Sequence, residues 1–205
     1  MHHVDLPMLL SSLKDNPLYV YLFIFFISFL ESFAFLGLAV PGAAFVVTAG
    51  VLAYEGYFSV YLVIVFAVLG AVLADIASYI LGSKYFLFIK NTRLYQKYKN
   101  YFIIGELFFE KNGSKSVFLG RFVGVLRPVV PFVAGTMQMK KEIFLLWAII
   151  SGILWGACYI GVGYFFGKGF AIVDRWTEYA NYVILLLILL SFVFYLLKKR
   201  GRWNL

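Results

Sequence analysis

Arg121 and Arg127 stand in an otherwise apolar segment, and Pro128 and Pro131 follow at once. Both residue types are costly in a membrane helix. An arginine at the bilayer centre costs roughly 2.5–3.5 kcal/mol even on the mildest insertion scale. Proline removes a backbone donor and clashes with the preceding turn. Broken backbone survives at membrane depth only when it is buried in protein or lines a wet cavity. The pattern predicts a re-entrant loop holding two cations over a cavity, which is a site for an anion. The planar guanidinium fork suits phosphate oxygens, and a half-helix N-terminus after the break would add backbone donors.

Two acids lie at comparable depth: Glu31, upstream of Pro41 and Gly42, and Asp75, inside a long apolar run. Ionisable residues within a membrane segment mark a site and need partners. Two chemistries are open. The acids could pair with the arginines and hold broken helices in register, although buried pairs stabilise poorly compared with apolar packing. Alternatively, the carboxylates could carry protons while the arginines bind and release an anion, since burial favours the neutral acid and a nearby cation favours the charged one. Tyr79 shares a helix face with Asp75 and is either part of the site or a packed residue whose hydroxyl caps the acid. Gly70, Ala74 and Ser78 form a ridge of small residues that permits close helix contact. Metal ligands do not cluster in the apolar segments, and no Ser–His or Cys–His pair occurs there. Neither a cofactor, a metal nor an enzymatic activity is expected. His2 and His3 sit at the extreme N-terminus, and Cys158, the sole cysteine, reads as a packing residue.

The elements that must position these residues follow from composition. Of 205 residues, 63% are hydrophobic and 14% charged, well below the share of charge in a soluble domain. The net charge of +8 is gathered in short hydrophilic joints, which fits the positive-inside rule better than nucleic-acid binding. Residues 1–16 suggest a short interfacial helix, and no cleavable signal peptide is evident. Residues 17–53 are too long for one span and too short for two; a helix, a break at Pro41 and Gly42, and a returning half-helix fit better. Residues 58–82 make a full span around Asp75. Residues 83–115 carry Lys84, Lys90, Arg93, Lys97, Lys99, Lys111 and Lys115 against Glu106 and Glu110, the mark of a cytoplasmic segment. Residues 116–136 are the Arg/Pro element. Residues 143–167 form a glycine-rich span with Trp147 and Trp155 as core or belt aromatics. Residues 179–197 form a last span, and Lys198, Lys199, Arg200 and Arg202 hold the tail inside.

The two broken segments resemble each other: an ionisable residue early, proline in the middle, and a closing Ala49-Gly50 or Ala134-Gly135. On the charge count the first opens outward and the second inward, the signature of an inverted repeat with a midplane site. The expected fold is an all-α polytopic membrane protein. It has two re-entrant broken-helix elements and about three full transmembrane helices, with a membrane domain over 17–170 and a C-terminal helix and basic tail over 171–205.

Several of these residues resemble the motifs of the DedA family, whose eukaryotic relatives are called VTT-domain or SNARE-associated proteins. The resemblance covers roughly residues 19–168. Its most specific part is Gly120, Arg121 and Phe122, then Arg127, Pro131, Ala134 and Gly135. Glu31 with Pro41 and Gly42 is similar to the family's acid and Pro-Gly-Asp segment. Asp75, Tyr79 and Gly82 form a third match, and Trp155, Gly161, Gly163, Tyr164 and Gly167 a fourth. The chain departs from the pattern at Ala43, where the family has aspartate, at Gly124, where it has proline, and at Ala74, where it has glycine. The resemblance implies a flippase or scramblase for a phospholipid or polyprenyl phosphate in the bacterial inner membrane, with or without a coupled proton. Taken with the reading of the residues themselves, Arg121 and Arg127 are expected to bind the phosphate, Glu31 and Asp75 to carry the proton or pair with the arginines, and Pro41, Gly42, Tyr79, Gly120, Pro128, Pro131 and Gly135 to shape the cavity and loops; Pro128 is extra to the family pattern. A transporter of a small soluble anion and a non-transporting scaffold are the alternatives.

Overall fold

The computed structural model describes residues 16–38 and 40–172, and the regular structure there is entirely helical. The expected interfacial segment over 1–16 and the C-terminal helix and tail over 171–205 fall almost wholly outside the described residues.

Two long apolar helices form the frame: α3 over Val60–Ile89 and α7 over Lys141–Ile172. Both have the length and composition to cross a membrane. At about 1.5 Å per residue, the 30 residues of α3 exceed a hydrocarbon core of about 30 Å. The two helices run antiparallel, with Gly152 against Val72 and Gly156 against Val68. Ala67, Ala71 and Ala74 line the buried side of α3. On the outer side, Tyr61, Leu69 and Leu73 of α3 and Leu146, Ile153 and Phe165 of α7 are exposed. A contiguous apolar exterior of this kind fits lipid rather than water. Cys158 belongs to that exterior; it is not the packing residue its apolar neighbours suggested, because the buried side of α7 there is taken by Trp155 and Ile160.

Each broken segment packs against this frame as a pair of short helices. In the first, α1 (Pro17–Ser32) precedes α2 (Gly42–Tyr54). Pro17 opens α1, where a missing N–H costs nothing. The break begins earlier than the expected proline, at Phe33. Phe35 takes a φ of 70°, which a bulky residue rarely adopts, and the freed backbone is taken up by tertiary contact: Ala34 donates its N–H to Ser78 Oγ at 2.9 Å. Both ends of this pair reach the same end of α3. Tyr21 accepts the N–H of Ser59 at 3.1 Å, and α2 ends at Tyr54 nearby. α2 lies tightly on α7 because Gly50 and Gly163 are bare; a side chain at either would strike the other helix's backbone.

Residues 83–115 hold more order than a charged joint. α3 continues to Ile89, and α4 covers Arg93–Asn112. Thr92 caps α4 by accepting the N–H of Tyr95. Among the lysines, Tyr95, Phe102 and Gly105 fall on one face and are buried. A 3-10 turn over Gly113–Lys115 leads to α5, Ser116–Gly120, and after the second break α6 covers Val130–Thr136. Gln138 then donates to the Ser83 carbonyl at 3.2 Å. The second pair therefore ends at the opposite end of α3 from the first.

Paired charges where the two breaks meet

The irregular stretches, 33–38 with 40–41 and 121–129, touch each other beside α3 and α7. A side chain at Gly37 would strike Pro128. Phe35 packs against Phe132 with centroids 5.5 Å apart. Into this junction the structure brings all four ionisable residues singled out in the sequence. Arg121 pairs with Asp75, linking the second break to α3. Arg127 Nη1 lies 2.6 Å from Glu31 Oε1, linking the second break to the end of α1, and its Nη2 donates to Ser32 Oγ at 3.1 Å. Arg121 is 5% exposed and Arg127 7%, so the cations are enclosed.

Of the other expected site residues, Gly42 and Pro128 border this junction, while Tyr79 and Gly135 set the packing of α6 on α3. Gly42 opens α2, and any side chain there would collide with the Glu31 carboxylate. The start of α2 thus faces an acid, the favourable sense for a helix dipole. Pro41, just before it, is exposed. Pro128 and Pro131 are buried, and Pro131 sits in the first turn of α6, where proline needs no donor. Gly120 gives way to Val130, and Gly135 to the Tyr79 carbonyl of α3. Tyr79 does not cap Asp75. Its hydroxyl donates to the Met139 carbonyl at 2.5 Å, and its ring stacks on Phe144 at 4.3 Å, so it ties the end of the second break to α3.

Trp155 is the residue that the sequence undervalued. It is wholly buried, and the Arg127 guanidinium lies 4.0 Å from its ring centre. A desolvated cation over an indole gains about 2 kcal/mol, which explains a tryptophan here rather than at the membrane surface. Gly152 and Gly156, on either side of it in sequence, bring α7 close to Val72 and Val68 of α3. Ser28 and Ser32, fully buried on the same face of α1 as Glu31, were also missed.

The junction keeps unused hydrogen-bonding capacity. Arg121 Nη1, Arg127 Nε, Trp155 Nε1 and Ser28 Oγ are buried without a partner, as is Glu31 Oε2. Buried polar groups are nearly always paired, so these atoms could accept water or a polar ligand as partner. Donors predominate, which fits an anion. The two arginines and two carboxylates nevertheless cancel in charge. An anion that bound here would have to displace a carboxylate from its arginine, or arrive when one carboxylate had taken a proton.

These features define a membrane protein, helical throughout its described residues, with paired charges where two broken segments meet a continuous helix. The chain belongs to the VTT-domain family, the DedA family of membrane proteins: the VTT domain matches residues 40–165, a span that includes Asp75, both arginines and Trp155 but starts after Glu31. Among relatives, an uncharacterized membrane protein of Buchnera aphidicola from Acyrthosiphon pisum is 30% identical over 188 residues, 92% of this chain and 73% of the relative. Protein DedA of Escherichia coli K12 is 29% identical over 170 residues, 80% of this chain and 76% of the relative. An uncharacterized membrane protein of Mycobacterium tuberculosis is 38% identical over 100 residues, 48% of this chain and 44% of the relative. No solved structure matches the chain.

Proposed function

We propose that this protein is a transporter that moves a phosphate-bearing lipid, such as a phospholipid or a polyprenyl phosphate, across the bilayer. The observation that carries the reading is the pair of enclosed arginines, each with an unpartnered N–H, at the junction of two broken helices. On this reading the broken segments are re-entrant, one from each side of the membrane, and the site lies near the midplane. The basic end of α3, with Lys84, Lys90 and α4, faces the cytoplasm of a bacterial plasma membrane, and so does the C-terminal tail. No chemical reaction is assigned to the site.

A lipid is favoured over a small soluble anion by the chain between the arginines. Phe122, Val123 and Val125 are 44%, 45% and 39% exposed, and nothing covers Gly124. An apolar surface directly beside both cations suits a ligand whose phosphate enters the protein while its tail stays in hydrocarbon.

Headgroup-resolved lipid transport in proteoliposomes tests the proposal. Arg121→Ala or Arg127→Ala should abolish transport while the protein still inserts. Lysine at either position should restore only part, because the fork is lost. Full activity of the double alanine variant would sink the proposal.

A further inference from the structure

The outer face of α4 combines two properties that neither water nor hydrocarbon satisfies. Its inner face is fixed: Phe102 is 1% exposed and meets Phe132 with centroids 5.0 Å apart, and Gly105 lies against Val129 and Val133. Opposite, at helical spacing, run Arg93, Lys97, Ile104, Leu107 and Lys111, all exposed. Ile104 is 51% exposed and Leu107 60%. A helix facing water keeps its outer side polar, and a helix facing hydrocarbon excludes arginine and lysine. An apolar centre with cations toward both ends suits the boundary between the two, where long stems lie in the acyl region and charges rise to headgroup level. The same end of the molecule carries Lys84, Lys90, Lys140 and Lys141. Glu106 and Glu110 lie on the flank of α4, away from the stripe of Arg93, Lys97 and Lys111.

We propose that the outer face of α4 is a docking surface for anionic phospholipid headgroups of the adjoining leaflet, separate from the charged junction. Charge complementarity selects the headgroup, and Ile104 and Leu107 set the depth.

The test uses the full chain. Native mass spectrometry from mixed phosphatidylglycerol and phosphatidylcholine micelles should show several-fold enrichment of phosphatidylglycerol. The combined variant Arg93→Gln, Lys97→Gln, Lys111→Gln should lose most of that enrichment, while Lys99→Gln, exposed on the flank of the same helix, keeps it, which ties the enrichment to the stripe. Equal retention of the two lipids, or enrichment untouched by the triple variant, overturns the proposal. A nitroxide at Ile104→Cys, in a Cys158→Ser background, should meet oxygen dissolved in the bilayer more often than a water-soluble nickel chelate. The reverse order, or spin coupling between two copies at this position, also overturns it.

Discussion

The guanidinium of Arg127 lies over the ring of Trp155 at 4.0 Å, while its edge holds Glu31 and Ser32. One helix thus supplies the floor beneath a cation whose carboxylate comes from another. The stack leaves Arg127 Nε and Trp155 Nε1 both without partners, so the aromatic face fixes the arginine without using up its donors.

Trp155→Ala is expected to lower the thermal stability of the purified protein and to impair transport. The lost packing is worth about 3–5 kcal/mol for a buried tryptophan. Trp155→Phe keeps a platform for the cation and should recover much of the stability. Melting curves in detergent separate the two. Equal stability of wild type and Trp155→Ala would show that the stack carries no weight.

Asp75 and Arg121 should behave as a unit. Removing one partner leaves an uncompensated buried charge, a loss of about 3–5 kcal/mol. Asp75→Asn and Arg121→Gln should each destabilise strongly, and the double variant should cost much less than their sum. A double-mutant cycle on unfolding free energies checks this. Strict additivity would mean that the pair does not hold α3 to the second break.

Much of this was legible in the sequence because cost leaves a trace. Arg121, Arg127, Glu31 and Asp75 stand out in apolar surroundings, and they do converge. The long spans were readable from hydropathy alone, although both run further than expected. Other features left no local trace. The first break opens at Phe33, not at Pro41, because Ser78 on a distant helix takes up the Ala34 N–H. α4 was hidden because its lysines outweigh a sparse buried face of Tyr95, Phe102 and Gly105. Trp155 read as a core or belt aromatic; it is a core residue, but nothing in its own neighbourhood names Arg127 as its partner.

Close backbone contact sets a sharp rule for glycines. A side chain at Gly82 would strike the Phe132 carbonyl of α6, whereas nothing lies within 4 Å at Gly161. Gly82→Ala should destabilise by about 1–3 kcal/mol, as overpacking does, because backbone on both sides cannot give way. Gly161→Ala should be neutral. Chemical denaturation of both variants decides it, and an equal loss at the two positions would contradict the packing of α6 on α3.

If the second break is re-entrant, single cysteines at Ser114 and Gln138 should label from the same face of sealed vesicles. Cysteines at Asn16 and Glu55 should label from the other. The exposed Cys158 can be replaced by serine beforehand with little effect on folding. Labelling of Ser114→Cys and Gln138→Cys from opposite faces would make that segment a full crossing.

The two acids are expected to differ in proton traffic. Arg121 and Asp75 are enclosed together. Glu31 meets Arg127 through one oxygen only, and its other oxygen is buried without a partner. On the proposed function, an anion that takes Arg127 would leave Glu31 without its counter-ion, and a proton could take the arginine's place there. When the anion leaves, the pair reforms and the proton departs. Ala43 stands where the family pattern has an aspartate, so Glu31 would carry this exchange without that second carboxylate. In sealed vesicles with an imposed pH gradient, the wild type should respond in rate and end point, and Glu31→Gln should transport without responding. Asp75→Asn should instead lose transport together with stability. A wild type whose rate and end point both ignore the gradient would show that the cycle is uncoupled and that Glu31 serves only to hold Arg127 in place.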